Sequence, residues 1–139
     1  MLLVSRQQRQ QVGEPAFVQR VVTHFQRYHL EAICEWPEDL LHKRVEHCIA
    51  RGRKWGLTWE YSLTVFAAHM IRIHPEFDEE PHIHRELGNP AHGTPDERID
   101  ELPGSVPDAA WSDAEKRSDP ETYWQAVGLG LPKKVEVDR

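Results

Sequence analysis

The chain has 139 residues, 29% of them charged, and a formal net charge of -6. This length favours one domain with a sizeable core. The acidic balance argues against an electrostatic nucleic-acid binder, because such proteins normally present a basic face to phosphates. No segment has the length and apolar character of a membrane span or a secretory signal, which predicts a cytoplasmic protein that does not bind membranes.

The two cysteines, Cys34 and Cys48, have a spacing that fits neither CxxC redox chemistry nor a zinc knuckle. Cys48 falls on the apolar side of a predicted helix, so we expect it to behave as a small buried hydrophobe. The sequence leaves open whether the two form a disulfide.

The first half of the chain carries the clearest helical pattern. Residues 1–13 are rich in Gln and Arg and are predicted to be an N-terminal arm, since Pro15 suits the first turn of a helix. Apolar residues at three- and four-residue spacing then predict three amphipathic helices, at about 15–32, 38–55 and 59–74. Their short connections predict a compact bundle around one core.

The joint between the second and third helices has its own signals. Gly56 can adopt the left-handed conformation that ends a helix, and Thr58 can cap the next one. Pro75 cannot continue that helix.

After Pro75 the composition changes. Residues 75–121 contain fourteen acidic and four basic residues, and frequent prolines divide the segment. Short helices are predicted near 80–87, 94–102, 108–116 and 120–127, with a capping box from Thr94 to Glu97. No strand ladder is evident. The predicted fold is therefore all-α, with one helical domain at 14–127 and a flexible tail at 128–139.

Nine histidines suggest a metal site as one alternative, built on His69, His74, His82, His84 and His92. A catalytic zinc site needs three converging ligands, and none of these spacings enforces convergence. The chain also lacks a GxSxG elbow and a glycine-rich phosphate loop. We therefore expect no catalytic residue, no bound metal and no cofactor.

The aromatic residues point instead to protein recognition. Most of the five tryptophans fall near the ends of predicted helices, where they either fill joints or serve as exposed anchors. Trp59 and Tyr61 are two positions apart and cannot both face the core of a helix. The acidic excess is either balanced within the chain or steers a basic partner. The candidate partner-binding residues are Trp59, Tyr61, Phe77, Asp78, Glu79, Glu80 and Trp111.

Several short motifs resemble those of a known family. They are Arg-Lys-Trp-Gly-Leu-Thr-Trp-Glu at 53–60, His-Pro-Glu-Phe-Asp-Glu-Glu-Pro at 74–81, Leu-Gly-Asn-Pro at 87–90 and Arg-Ile-Asp-Glu-Leu at 98–102. Together with Gln7 or Gln8, Phe17 and Phe25, they are similar to small helical accessory proteins encoded beside type VI secretion spike and effector genes in Gram-negative bacteria. The likeness covers roughly residues 1–105.

This resemblance implies an adaptor or co-chaperone in effector delivery and supplies no catalytic residues. His82 departs from it, because a tryptophan would be expected after Pro81, and the segment after Pro103 matches nothing in the pattern. We expect a non-enzymatic protein that binds a type VI effector, its chaperone or a spike component. The alternatives are a cytoplasmic immunity protein that neutralises an effector and a small His-rich metal-dependent hydrolase. The oligomeric state stays open.

Overall fold

The computed structural model describes the backbone of residues 6–132 and the side chains of residues 14–132. This part of the chain contains α-helices and short 3₁₀ turns but no strand, which confirms the all-α prediction. The α-helices are α1 (Arg6–Tyr28), α2 (Leu30–Ile33), α3 (Glu38–Lys54), α4 (Glu60–Arg72), α5 (Pro81–Leu87), α6 (Pro95–Ser105), α7 (Asp108–Glu115) and α8 (Pro120–Ala126). The 3₁₀ turns are Phe77–Glu79 and Pro90–His92.

Helix α3 is the centre of the bundle and packs against both α1 and α4. Its acidic first turn and basic last turn both complement the helix dipole. Most of the apolar residues predicted to face inward are buried, the free thiol of Cys48 among them as expected, and Ile71 is half-buried. The core residues of these helices are Phe17, Val18, Val21, Val22, Phe25, Leu41, Val45, Cys48, Ile49, Leu63, Phe66, Ala67 and Met70.

The start of α1 differs from the predicted arm. The helix begins at Arg6, so Pro15 lies inside it instead of in its first turn. Gln and Arg are good helix formers, and one proline removes a single backbone hydrogen bond without ending this helix. Residues 1–5 lie outside the described part. At the other end, His29 separates α1 from the short α2, so the helix predicted at 15–32 is divided.

The predicted short helices after Pro75 are confirmed as α5 to α8. The capping box between Thr94 and Glu97 is present, with Pro95 in the first turn of α6. Helix α6 continues past Pro103 to Ser105, three residues beyond the predicted end. Gly56 has a φ of 93°, the left-handed conformation expected after α3.

The cap of α4 comes from a distant residue. Thr58 does not cap α4; the carboxylate of Asp96 on α6 accepts hydrogen bonds from the N–H groups of Thr58 and Trp59 and from the Thr58 hydroxyl. Burial alone would raise the pKa of Asp96, but these hydrogen bonds lower it overall. Asp96 therefore fixes the start of α4, and with it the positions of Trp59 and Tyr61.

The beginning of the predicted flexible tail is held against the body. The carbonyl of Leu129 accepts a hydrogen bond of 3.0 Å from Nε of the buried Arg44, and the N–H of Leu131 donates to Glu121. Two further hydrogen bonds join Arg44 to the carboxylate of Glu121. These contacts attach Leu129 and Leu131 of the predicted tail to the body, while residues 133–139 lie outside the described part.

Candidate functional site

A groove of about 260 Å³ runs between α1 and α4. We call it the α1–α4 groove; its lining residues are Phe17, Arg20, Val21, His24, Glu60, Tyr61 and Thr64. The ion pair between Arg20 Nη2 and Glu60 Oε1, 2.7 Å apart, joins the two walls. A second pair, between Arg72 and Glu31, connects the end of α4 to α2. The groove is therefore a shallow feature with apolar, aromatic and charged parts.

Four large exposed apolar or aromatic side chains belong to α1, α2 and α4 or stand directly beside them. Tyr61 is 65% exposed and lines the groove, while Trp59, 54% exposed, stands immediately before α4. Tyr28, at the end of α1, is 63% exposed and contacts the ring of His24 in the groove wall. The exposed Leu30 follows in α2. We refer to the groove together with Tyr28, Leu30 and Trp59 as the α1–α4 surface.

The structure places three other candidate residues inside the molecule. Phe77 is fully buried against Phe66, with the ring centroids 5.0 Å apart. Asp78 is buried and accepts hydrogen bonds from Arg51 and from the indole N–H of Trp55. Glu80, also buried, caps α5. The side chains of these three candidates are therefore buried and occupied within the chain, and their contact with a partner stays a prediction.

Two further candidates, Trp111 and Glu79, keep part of their surface accessible. Trp111 is half-buried, and its ring centroid lies 5.1 Å from that of His69. It therefore serves mainly to hold α7 against α4. Glu79 is exposed and lies 3.6 Å from Arg51 and 3.5 Å from Arg117.

A second concave site, which the sequence did not indicate, lies on the opposite side of α3. We call this pocket of about 370 Å³ the α3 pocket; it is lined by His47, Ala50, Arg51, Lys54, Trp55, Asp78 and Tyr123. Four of these residues, at 47, 50, 51 and 54, are spaced by three or four positions along α3 and share one face of that helix, and Trp55 directly follows it. Asp78 and Tyr123 complete the walls from the 3₁₀ turn and α8. The spacing along α3 was visible in the sequence, but nothing there located the other walls.

Hydrogen bonds connect most of the pocket's polar groups. Nε and Nη2 of Arg51 donate to the two oxygens of Asp78 at 2.9 and 2.8 Å, and Nη1 donates to the Tyr123 hydroxyl at 3.0 Å. Nε2 of His47 lies 2.6 Å from the same hydroxyl oxygen. A continuous network therefore joins α3 to the 3₁₀ turn and α8.

The protonation states in the pocket follow from burial and from neighbouring charges. Burial, reinforced by Arg51 and Lys54, lowers the pKa of His47, so its ring is neutral at pH 7. Burial raises the pKa of Tyr123. It would also lower the pKa of Arg51, but Asp78 raises it overall, and Arg51 keeps its charge.

The five histidines of the metal alternative are not brought together. His69 contacts Phe77 and Trp111, whereas Nε2 of His74 lies 2.9 Å from the carbonyl of Ser118. The other three form local pairs: His82 with Glu80, His84 with the Asp78 carbonyl and His92 with Glu86. Within the residues that the structure describes, no group of three or more His, Cys, Asp or Glu side chains could hold a metal ion.

None of the helices described here is both long and apolar enough to cross a membrane. Comparisons with protein-family models, with curated proteins and with solved structures gave no match.

Proposed function

We propose that this chain is a non-enzymatic protein that binds another protein through the α1–α4 surface. The observation that carries the proposal is the exposure of Trp59 and Tyr61 at the start of α4, next to a groove. Aromatic side chains of this kind dominate the binding energy of many protein interfaces. The sequence resemblance suggests the partner class: a type VI effector, its chaperone or a spike component.

The support of the two aromatic residues is consistent with a recognition role. The buried carboxylate of Asp96 holds the backbone N–H of Trp59 at 2.9 Å, and Glu60 is paired with Arg20. A side chain that is already positioned loses less conformational freedom when it binds. The α1–α4 surface therefore presents its aromatic groups from a rigid backbone.

Exposed acidic residues outside this surface are suited to attracting a basic partner. Glu97, Asp100 and Glu101 are exposed on α6, the helix that caps α4. A group of like charges near a binding surface accelerates the approach of an oppositely charged partner more than it strengthens the final complex. We therefore infer that the partner carries a basic region beside an apolar contact.

Co-purification from the native host tests the proposal. A tagged wild-type chain should recover a type VI component, and the double variant Trp59→Ala, Tyr61→Ala should lose it while keeping its thermal stability. Val127→Ala is the matched control, because Val127 is also exposed but lies beyond α8, outside the surface. Recovery of the same component by the double variant would contradict the proposed surface.

The same variants distinguish an adaptor from an inhibitor. An adaptor is required for secretion of the effector and does not protect a cell that expresses the toxin alone. Rescue of such a cell by the wild-type chain, abolished by the double variant, would assign the surface to neutralisation and would contradict the adaptor role.

A further inference from the structure

The α3 pocket has unused hydrogen-bonding capacity of one kind. Lys54 is exposed at its edge and has no ion pair among the described residues. Each Nη of Arg51 carries two N–H groups, and only one of each is used by Asp78 or Tyr123. The pocket therefore presents several donors that have no acceptor of their own.

The pair formed by His47 and Tyr123 adds another donor. A neutral imidazole has one N–H, and one proton occupies the short contact between Nε2 and the hydroxyl oxygen. If Tyr123 supplies that proton, Nδ1–H of His47 is left over. If His47 supplies it, the Tyr123 O–H is left over. Either tautomer leaves one donor without a partner among the described residues.

The oxygen acceptors of the pocket already have donors, and Nδ1 of His47 is an acceptor only in the tautomer in which His47 donates to Tyr123. The carboxylate of Asp78 accepts three hydrogen bonds, two from Arg51 and one from Trp55. The Tyr123 oxygen accepts from Arg51. A ligand that offers only acceptors and a negative charge therefore complements the site better than one that offers donors.

The walls also restrict the body of the ligand. Trp55 and Tyr123 are half-buried aromatic residues in the pocket walls, and Ala50 contributes only a small side chain. We propose that the α3 pocket binds a carboxylate carried on a flat or apolar body, with Lys54 and Arg51 holding the carboxylate. The carboxylate belongs either to a free small acid or to the C-terminal end of a peptide. This inference concerns the face of α3 opposite the α1–α4 surface and does not rest on the proposed function.

Glu79 is the group that competes with such a ligand. Its Oε1 lies 3.6 Å from Nη2 of Arg51, and its Oε2 lies 3.5 Å from Nη2 of Arg117. A bound carboxylate approaches the same guanidinium, so the charge of Glu79 opposes binding. Removing that charge should strengthen binding, an effect that non-specific association of an apolar ring would not show.

NMR titration of the whole ¹⁵N-labelled protein tests the proposal, with benzoate as the probe and benzamide as its uncharged counterpart. Benzoate should shift the Trp55 indole and His47 signals saturably, and benzamide should not. Lys54→Met should weaken benzoate binding about tenfold, the effect of losing one charge-assisted hydrogen bond. Lys43→Met, an exposed lysine on α3 outside the pocket, should leave it unchanged. Glu79→Gln should bind benzoate more tightly.

A pair of peptides with a free and an amidated C-terminus separates the two sources of the carboxylate. Preference for the free-acid peptide over benzoate indicates a chain terminus, and the reverse indicates a small acid. Equal shifts with benzoate and benzamide, no saturable shift with either, or unchanged affinity in both Lys54→Met and Glu79→Gln would overturn the proposal. None of these outcomes involves Trp59 or Tyr61, so they are independent of the proposed function.

Discussion

The guanidinium of Arg44 is buried between two indole rings, 4.4 Å from the ring centroid of Trp36 and 4.8 Å from that of Trp124. Its charge is balanced by the bidentate contact with Glu121. Arg44→Met leaves this carboxylate without its partner, and we expect the free energy of unfolding to fall by about 3 kcal/mol. Urea denaturation measures the loss.

Arg53→Met is the control for Arg44→Met. Arg53 pairs with Glu14 at 2.6 Å, but both side chains are partly exposed. A pair of this kind contributes about 0–1 kcal/mol. Equal losses of unfolding free energy in the two variants would show that the burial of Arg44 does not increase the stability contributed by its ion pair.

His69 should make stability depend on pH. Its Nε2 is buried without a hydrogen-bond partner among the described residues, and burial lowers the pKa of His69 from its ordinary 6.5 to about 4. The unfolded chain therefore takes up this proton at a higher pH than the folded chain. The free energy of unfolding should decrease as the pH falls from about 6.5 to about 4, by about 3 kcal/mol in total.

Denaturation at pH 7 and at pH 4.5 measures this dependence. His69→Phe keeps a ring between Phe77 and Trp111 and removes the titrating group, so its stability should change less between the two pH values. A pH dependence identical to that of the wild-type chain would assign the effect to other residues.

At the residue scale, the sequence predicted burial better than it predicted exposure. The apolar spacing correctly placed Cys48 and Phe66 in the core. The burial of Phe77 and Asp78 was not indicated by the sequence, because they stand in a short acidic run with no helical period. The partners that bury them, Phe66 and Arg51, come from other elements.

At the scale of elements, the connection between α6 and α4 depends on one carboxylate. Asp96→Ala leaves the N–H groups of Thr58 and Trp59, just before α4, without their acceptor and should lower the free energy of unfolding by about 1–2 kcal/mol. Asp100→Ala, an exposed acid on the same helix, should have almost no effect. Thermal or urea unfolding of the two variants measures the difference, and similar values for both would contradict the capping role.

The helices were predictable where local signals define their ends. Proline at the first turn and Thr94 at the cap marked α6, and Gly56 marked the end of α3. Other features lacked such signals. Asp96 caps a helix that begins more than thirty residues earlier in the chain, and α1 begins before its proline because its Gln- and Arg-rich segment continues the helix.

At the scale of the molecule, ion pairs join residues 1–74, which carry ten basic and seven acidic residues, to the acidic second half. Arg44 and Arg51 on α3 bind Glu121 and Asp78 of the acidic second half. These contacts support the interpretation that part of the acidic excess is balanced within the chain. The α3 pocket arises at the same junction. It could not be predicted because its walls are separated by up to 76 positions in sequence.

The central claim is that the partner contacts the α1–α4 surface, while the acidic residues around 76–80 hold the fold together. Hydrogen–deuterium exchange of the purified complex tests it most directly. We expect binding to protect the backbone of residues 17–30 and 59–64 and to leave residues 76–81 unchanged. Protection confined to residues 76–81 or to α6 and α7, with none in α1 or α4, would contradict the account.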